Sequence, residues 1–233
     1  MQPENPLMAT TPVASAPALA RNRVLRNTYL LLAISMIPTV LGAWVGLRLN
    51  FSLVGGAHPA VGFMLFLAIA FGFMFGIEKT KNSGMGVALL LAFTFFMGLM
   101  LSRMLGVVLG FANGASLIAL AFGGTAVIFG AMAAIGTATK RDLSGLSRFL
   151  FIGVILLLIA GFANIFLHIP ALMVAYSVIA IAIFSAFMVV DVNRIVTGGE
   201  TNYITATLML YLDLYNVFVN LLALLGMTGG RND

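Results

Sequence analysis

Cysteine is absent from the 233 residues. That excludes disulfides, thiolate metal sites and cysteine nucleophiles. Charge is scarce as well, at 8% of positions against 61% hydrophobic, where a soluble domain averages about 25% charged. So little polar surface cannot cover a soluble domain of any size, and the chain reads as a polytopic membrane protein embedded in a lipid bilayer. Both histidines, His58 and His168, fall in short connections. The sequence holds no metal-ligand cluster, no nucleophile triad and no nucleotide fingerprint. No catalytic residue or cofactor is assigned, an enzyme is not expected, and neither is a nucleic-acid partner. The formal charge of +5 is accounted for by membrane topology.

What is abundant is apolar sequence in long runs. Seven follow a polar, Ala-, Pro- and Thr-rich start: Asn27–Leu47, Pro59–Ile77, Gly84–Leu101, Gly114–Ala138, Gly145–Phe166, Ala171–Val190 and Tyr203–Gly226. Each approaches the ~20 residues that cross hydrocarbon as a helix. The expected fold is an all-α bundle of seven transmembrane helices over residues 27–227. A flexible tail is expected over 1–26 and a short C-terminal tail over 228–233. No apolar segment precedes Ala14, so a signal peptide is not expected.

Basic residues set the orientation. With the N-terminus inside, the inner segments hold Arg21, Arg23, Arg26, Lys79, Lys81, Lys140, Arg141, Arg148 and Arg194, and the outer segments hold Arg48, Arg103 and Arg231. Nine against three favours the N-terminus inside and the C-terminus outside. Gly72 with Gly76, and Gly106 with Gly110, have small-xxx-small spacing and are expected at helix–helix contacts. They leave the oligomeric state open.

The chemistry concentrates in the last two runs. Asp213 lies near the middle of the seventh, where a charge costs roughly 2.5–3.5 kcal/mol on insertion scales. It must be protonated, paired or turned to a polar cavity. Asn216 and Asn220 follow at spacings of three and four and share its face. Either this helix is buried with its polar groups bonded to neighbours, or the face lines a water-accessible path.

Asp191 ends the sixth run with Arg194 three residues on, so a local ion pair is one reading and a pair with Asp213 the other. If the seventh helix starts near Glu200, Asp213 is about 13 residues, or roughly 20 Å, inside it. Asp191 lies only a few residues from the loop. The height difference of about 10 Å demands tilt, a deeper loop or a bend before the two acids meet. Should they meet, they share a proton and titrate as a unit. Such a pair can do acid–base work, sense pH or bind a cation such as calcium. The glycine-containing motif of intramembrane aspartyl proteases is missing, since Leu210-Tyr211-Leu212 precedes Asp213. Phe122-GGTAVIF has no phosphate-loop lysine and reads as close packing. Asn164 reads as a helix–helix hydrogen bond.

Five stretches carry a resemblance: Val24-LRNTY, Phe122-GGTAVIF, Lys140-RDLSGL, Ala163-NIFLHIPAL and Gly198-GETNYITATLMLYLDLYNVFVNLLALLG. On these the chain resembles the Bax inhibitor-1 superfamily of seven-helix membrane proteins, and within it the YccA-like branch. The resemblance implies a bacterial inner-membrane protein that binds and restrains the FtsH protease, with its N-terminal tail as a handle for degradation. Other members resemble pH-dependent calcium leak channels, whose gating aspartates match Asp191 and Asp213 in Val190-DVNRI and Leu212-DLYN. Those members latch the pair with an arginine near the cytosolic end of the second helix. Here Glu78, Lys79 and Lys81 occupy that region, and lysine lacks the bidentate fork of arginine. The two lysines and Arg194 are therefore the latch candidates.

Overall fold

The computed structural model describes residues 16–53, 58–167 and 169–229. It contains seven helices in chain order: α1 (Ala16–Arg48), α2 (Pro59–Thr80), α3 (Gly84–Leu109), α4 (Gly114–Ala138), α5 (Ser144–Leu167), α6 (Pro170–Thr197) and α7 (Tyr203–Gly229). All seven are long and apolar enough to cross a membrane. Strands are absent among the described residues.

The radial pattern of the bundle differs from that of a soluble protein, with apolar side chains both in the core and on the surface. Large apolar side chains such as Leu30, Val127 and Phe149 are exposed, while Thr28, Ser35, Thr94, Thr207, Asp191 and Asp213 are buried. Lipid is as apolar as leucine, so nothing drives apolar side chains inward, whereas every buried polar group must find a partner inside the protein. Most hydroxyls find it one turn back on their own helix. Thr28 donates to the Val24 carbonyl at 2.8 Å, Ser35 to Leu31 at 2.8 Å and Thr125 to Ala121 at 2.8 Å.

α7 is the hub. It packs against α6, α4 and α1 and reaches α3 and α2, whereas among the described residues α5 touches only α6 and α2. α1 and α3 make the closest helix pair, and three glycines create it. A methyl group on Gly42 would collide with the Phe95 carbonyl, one on Gly98 with the Thr39 carbonyl, and one on Gly46 with the Ser102 side chain. The glycines singled out by spacing behave differently. Gly72 and Gly123 face open space, and Gly76, Gly106 and Gly124 make ordinary or slightly tight side-chain contacts. Gly110 ends α3.

Three helices overrun their apolar runs by a wide margin, α3 among them, which continues past Leu101 to Leu109. α1 begins at Ala16, so residues 16–26 are helix rather than tail; the rest of the expected tail lies outside the described residues. α6 continues past the end of its apolar run to Thr197. Helical hydrogen bonds persist beyond the hydrocarbon boundary, because the backbone satisfies itself in either solvent. At the C-terminus α7 extends to Gly229, and residues 230–233 lie outside the described residues, as does His168.

Candidate functional site: a buried carboxyl pair

The α6–α7 connection spans residues 198–202. Gly198 adopts φ 86, a conformation other residues enter only at a cost, and it stops α6. The Glu200 N–H then closes back on the Arg194 carbonyl at 3.0 Å. Asn202 starts α7: its side-chain oxygen accepts the N–H groups of Ile204 at 2.9 Å and Thr205 at 3.2 Å. That satisfies two donors orphaned at a helix start. Its amide nitrogen donates to the Lys81 carbonyl at 2.9 Å and to Asn82 Oδ1 at 2.9 Å. One side chain thus caps α7 and ties it to the α2–α3 turn.

From this hairpin the two acids project toward each other. α6 runs six residues beyond Asp191, and ten separate Tyr203 from Asp213. At 1.5 Å per residue these depths are roughly 9 and 15 Å, a smaller mismatch than the apolar runs imply. Asp191 is 7% exposed and Asp213 is 5% exposed, and their carboxyl groups lie within hydrogen-bond reach of each other. Asp213 Oδ2 is fully enclosed, with no hydrogen-bond donor on it among the described residues. A carboxyl group beside another carboxyl group bonds only through a proton, because neither anion can donate. The arrangement therefore calls for one shared proton.

The surrounding charges are few. Arg194 is exposed and forms no ion pair with Asp191 among the described residues, although its charge acts on Asp191 favourably and that of Glu200 unfavourably. The local surface ion pair expected as one alternative is thus not what the geometry contains. Neither lysine forms an ion pair with Asp191 or Asp213 among the described residues. Lys81 pairs with Glu78, and that hydrogen bond holds its ammonium group above the ordinary lysine value. Lys79 sits over the Phe75 ring, 4.5 Å from its centroid. No group of three or more His, Cys, Asp or Glu comes together among the described residues. Calcium takes six to eight oxygens, so an ion here would rest on two carboxyl groups and draw its other ligands from water.

Asn216 and Asn220 do share the α7 face, but both amides turn back on the helix. Asn216 donates to the Leu212 carbonyl and Asn220 to the Asn216 carbonyl, each at 2.8 Å. Asn164 accepts the Ile169 N–H at 3.0 Å and so shapes the approach to α6 rather than bridging helices.

Three polar groups escaped the sequence reading. Tyr211 is buried, with its hydroxyl 2.9 Å from Thr39 Oγ1 on α1 and 3.4 Å from the Thr94 carbonyl on α3. Tyr215 donates to the Met97 carbonyl on α3 at 3.1 Å. The two tyrosines hold α7 on the side away from the acids, and their four-residue spacing was the available signal. Asn193, also buried, donates to the Thr139 carbonyl just past α4 at 2.5 Å, two residues from Asp191.

Fold and site together define a class: a seven-span membrane protein with a paired acid enclosed between its last two helices. The sequence profile of the family described as Inhibitor of apoptosis-promoting Bax1 matches residues 21–230, and the chain belongs to that family. It is 39% identical over 208 residues to the Modulator of FtsH protease YccA of Escherichia coli K12, covering 89% of this chain and 91% of that protein. The Inner membrane protein YccA of Escherichia coli O6:H1 matches to the same extent. An uncharacterised protein of Neisseria meningitidis serogroup A is 36% identical over 220 residues, covering 94% of this chain and 96% of the relative.

Proposed function

We propose that this chain is a non-enzymatic modulator of an FtsH-type membrane protease, binding it in the bacterial inner membrane and restraining it. The observation that carries the reading is the near end-to-end similarity to the Modulator of FtsH protease YccA. The architecture is consistent with it. Nearly all described residues lie in spans or in short connections, so contact with a membrane-anchored protease falls to spans and turns. The basic-residue count favours an N-terminus on the cytosolic side, the side of an ATP-dependent protease. The test is co-purification. Tagged chain and an FtsH-type protease, co-expressed and solubilised in mild detergent, should elute together through the tag. An unrelated seven-span protein should not carry the protease. Equal recovery with both baits, or none with this chain, would remove the reading.

A second reading, a pH-sensitive calcium leak, rests on a separate observation: the contact between Asp191 and Asp213. Liposomes of the pure protein should then pass calcium in a pH-dependent way that Asp213→Asn abolishes. Pure-protein liposomes as tight as empty ones would exclude it.

A further inference from the structure

Between α1 and α4 the bundle is open to its surroundings. The two helices make no close backbone approach among the described residues. They flank a groove of about 660 Å³ whose floor is α7 and α3, with Leu101, Tyr211 and Phe218 on it. Its walls carry small, exposed alanines, Ala33 on α1 and Ala126 on α4. The hydroxyls in the floor are already bonded to protein atoms, Tyr211 to Thr39 and Tyr215 to the Met97 carbonyl. Nothing in the floor asks for a polar ligand.

The lining and the opening bear on the occupant. The α1 wall extends from Tyr29 to Ala43, roughly 21 Å at helical rise. That length suits an extended acyl chain, the lining is almost wholly apolar, and what surrounds an open groove on a membrane-spanning bundle is lipid.

Charge decides the headgroup. Arg26, Ala33 and Val40 are spaced by seven, so they run in one line along α1 with only ~20° of drift per heptad, and all three are exposed. Arg26 therefore continues the α1 wall just beyond the end of the groove. It has no ion-pair partner among the described residues. At that end Tyr29 and Phe129 bridge the two walls edge to face, 5.9 Å between centroids. An amphipathic tyrosine below an arginine is the arrangement found at the headgroup boundary of a membrane. Exposed Lys140 and Arg141, just past the end of α4, add positive charge at the same end of the bundle.

We propose that the α1–α4 groove is a binding site for one anionic phospholipid, its acyl chain between Ala33 and Ala126 and its phosphate on Arg26. This goes beyond the protease-modulator reading and does not depend on it.

Native mass spectrometry of the full chain in mild detergent tests it, with phosphatidylglycerol or phosphatidylcholine of identical chains added. The expected result is one retained phosphatidylglycerol per chain, favoured about fivefold over phosphatidylcholine, the ratio that one basic residue at the surface confers. Arg26→Gln should cut the preference, leaving only what Lys140 and Arg141 confer. Arg48→Gln, at the far end of the same helix, should keep it. Ala33→Phe with Ala126→Phe should lose the bound lipid while the protein still elutes as a single folded species. Equal retention of both lipids by the unaltered chain overturns the proposal, as does an unchanged preference in Arg26→Gln or an unchanged adduct in the filled groove. Loss of a dimer or of a co-eluting protein from the filled variant, with the lipid still bound, would make the groove a protein interface and overturn it equally.

Discussion

Asp191 on α6 and Asp213 on α7 meet across a hairpin with their carboxyl groups within hydrogen-bond reach, and both are shut off from the surface. A shared proton would make the two act as one unit. Asp191→Asn and Asp213→Asn should each leave the fold intact, since the amide keeps volume and polarity. The double variant should add little to either. A double-mutant cycle on the thermal midpoint in detergent should return a coupling of roughly 0.5–3 kcal/mol, and strict additivity would mean the acids act separately. An infrared band of a protonated carboxyl group should be present in the unaltered chain and missing from Asp213→Asn.

The α1–α3 contact allows a comparison among glycines. Gly98→Ala forces a methyl group into the Thr39 carbonyl and Gly42→Ala into the Phe95 carbonyl, and backbone cannot swing away as a rotamer does. Each should cost about 1–3 kcal/mol of stability, the overpacking range, and fall toward its upper end. Gly123→Ala, with nothing within 4 Å of the new methyl group, should be neutral or stabilising by up to about 1 kcal/mol, since alanine is the better helix former. Thermal denaturation of the three variants side by side measures the difference.

Asn202→Ala removes the cap of α7 and the tether to the α2–α3 turn together. Loss of an N-cap costs roughly 0.5–2 kcal/mol. Hydrogen exchange should quicken in the first turn of α7 and at Ser83, whose surroundings the tether fixes. Asn202→Asp, which keeps the acceptor and loses the amide donor, should restore protection to α7 alone.

Asp142 offers a pH test away from the membrane interior. The Ser144 N–H beside its carboxyl group holds it below the ordinary aspartate range, with the Ser144 hydroxyl and Arg148 adding to the effect. A depressed carboxyl group stabilises the folded state above its unfolded value, and the contribution fades as pH falls through the folded one. The start of α5 should therefore loosen in acid below the usual carboxylate range, read as faster exchange of its first amides. Asp142→Ala should show the looser start already at neutral pH and change little on acidification.

Much of the fold was legible because lipid imposes so simple a rule: seven apolar runs, seven helices. Asp213 was legible for the same reason, since a charge in hydrocarbon has few permitted surroundings. The reach of α1 back to Ala16 and of α6 on to Thr197 was not. Apolar runs mark where lipid begins, whereas a helix ends where its caps lie, and the signal for α6 was Gly198. Of the glycines chosen by spacing, Gly76 and Gly106 do meet a neighbouring helix and Gly72 does not, because spacing identifies a face without naming its neighbour. Gly42 and Gly98 matter through the carbonyls they approach, and those belong to another helix. Lys79 and Lys81 sat in the expected region, but Phe75 and Glu78 engage them first. Such local partners were in view in the sequence, three and four residues away.

Restraint of an FtsH-type protease by this protein, as proposed above, is open to direct assay. The direct measurement is the rate at which that protease degrades a membrane-protein substrate in proteoliposomes, with and without this chain at equal lipid-to-protein ratio, while ATP hydrolysis is followed in parallel. A restraining partner should give slower, saturable loss of the substrate as the chain is added, and an unrelated seven-span protein should give no such slowing. An unchanged degradation rate at saturating chain, or equal slowing by the unrelated protein, would contradict it.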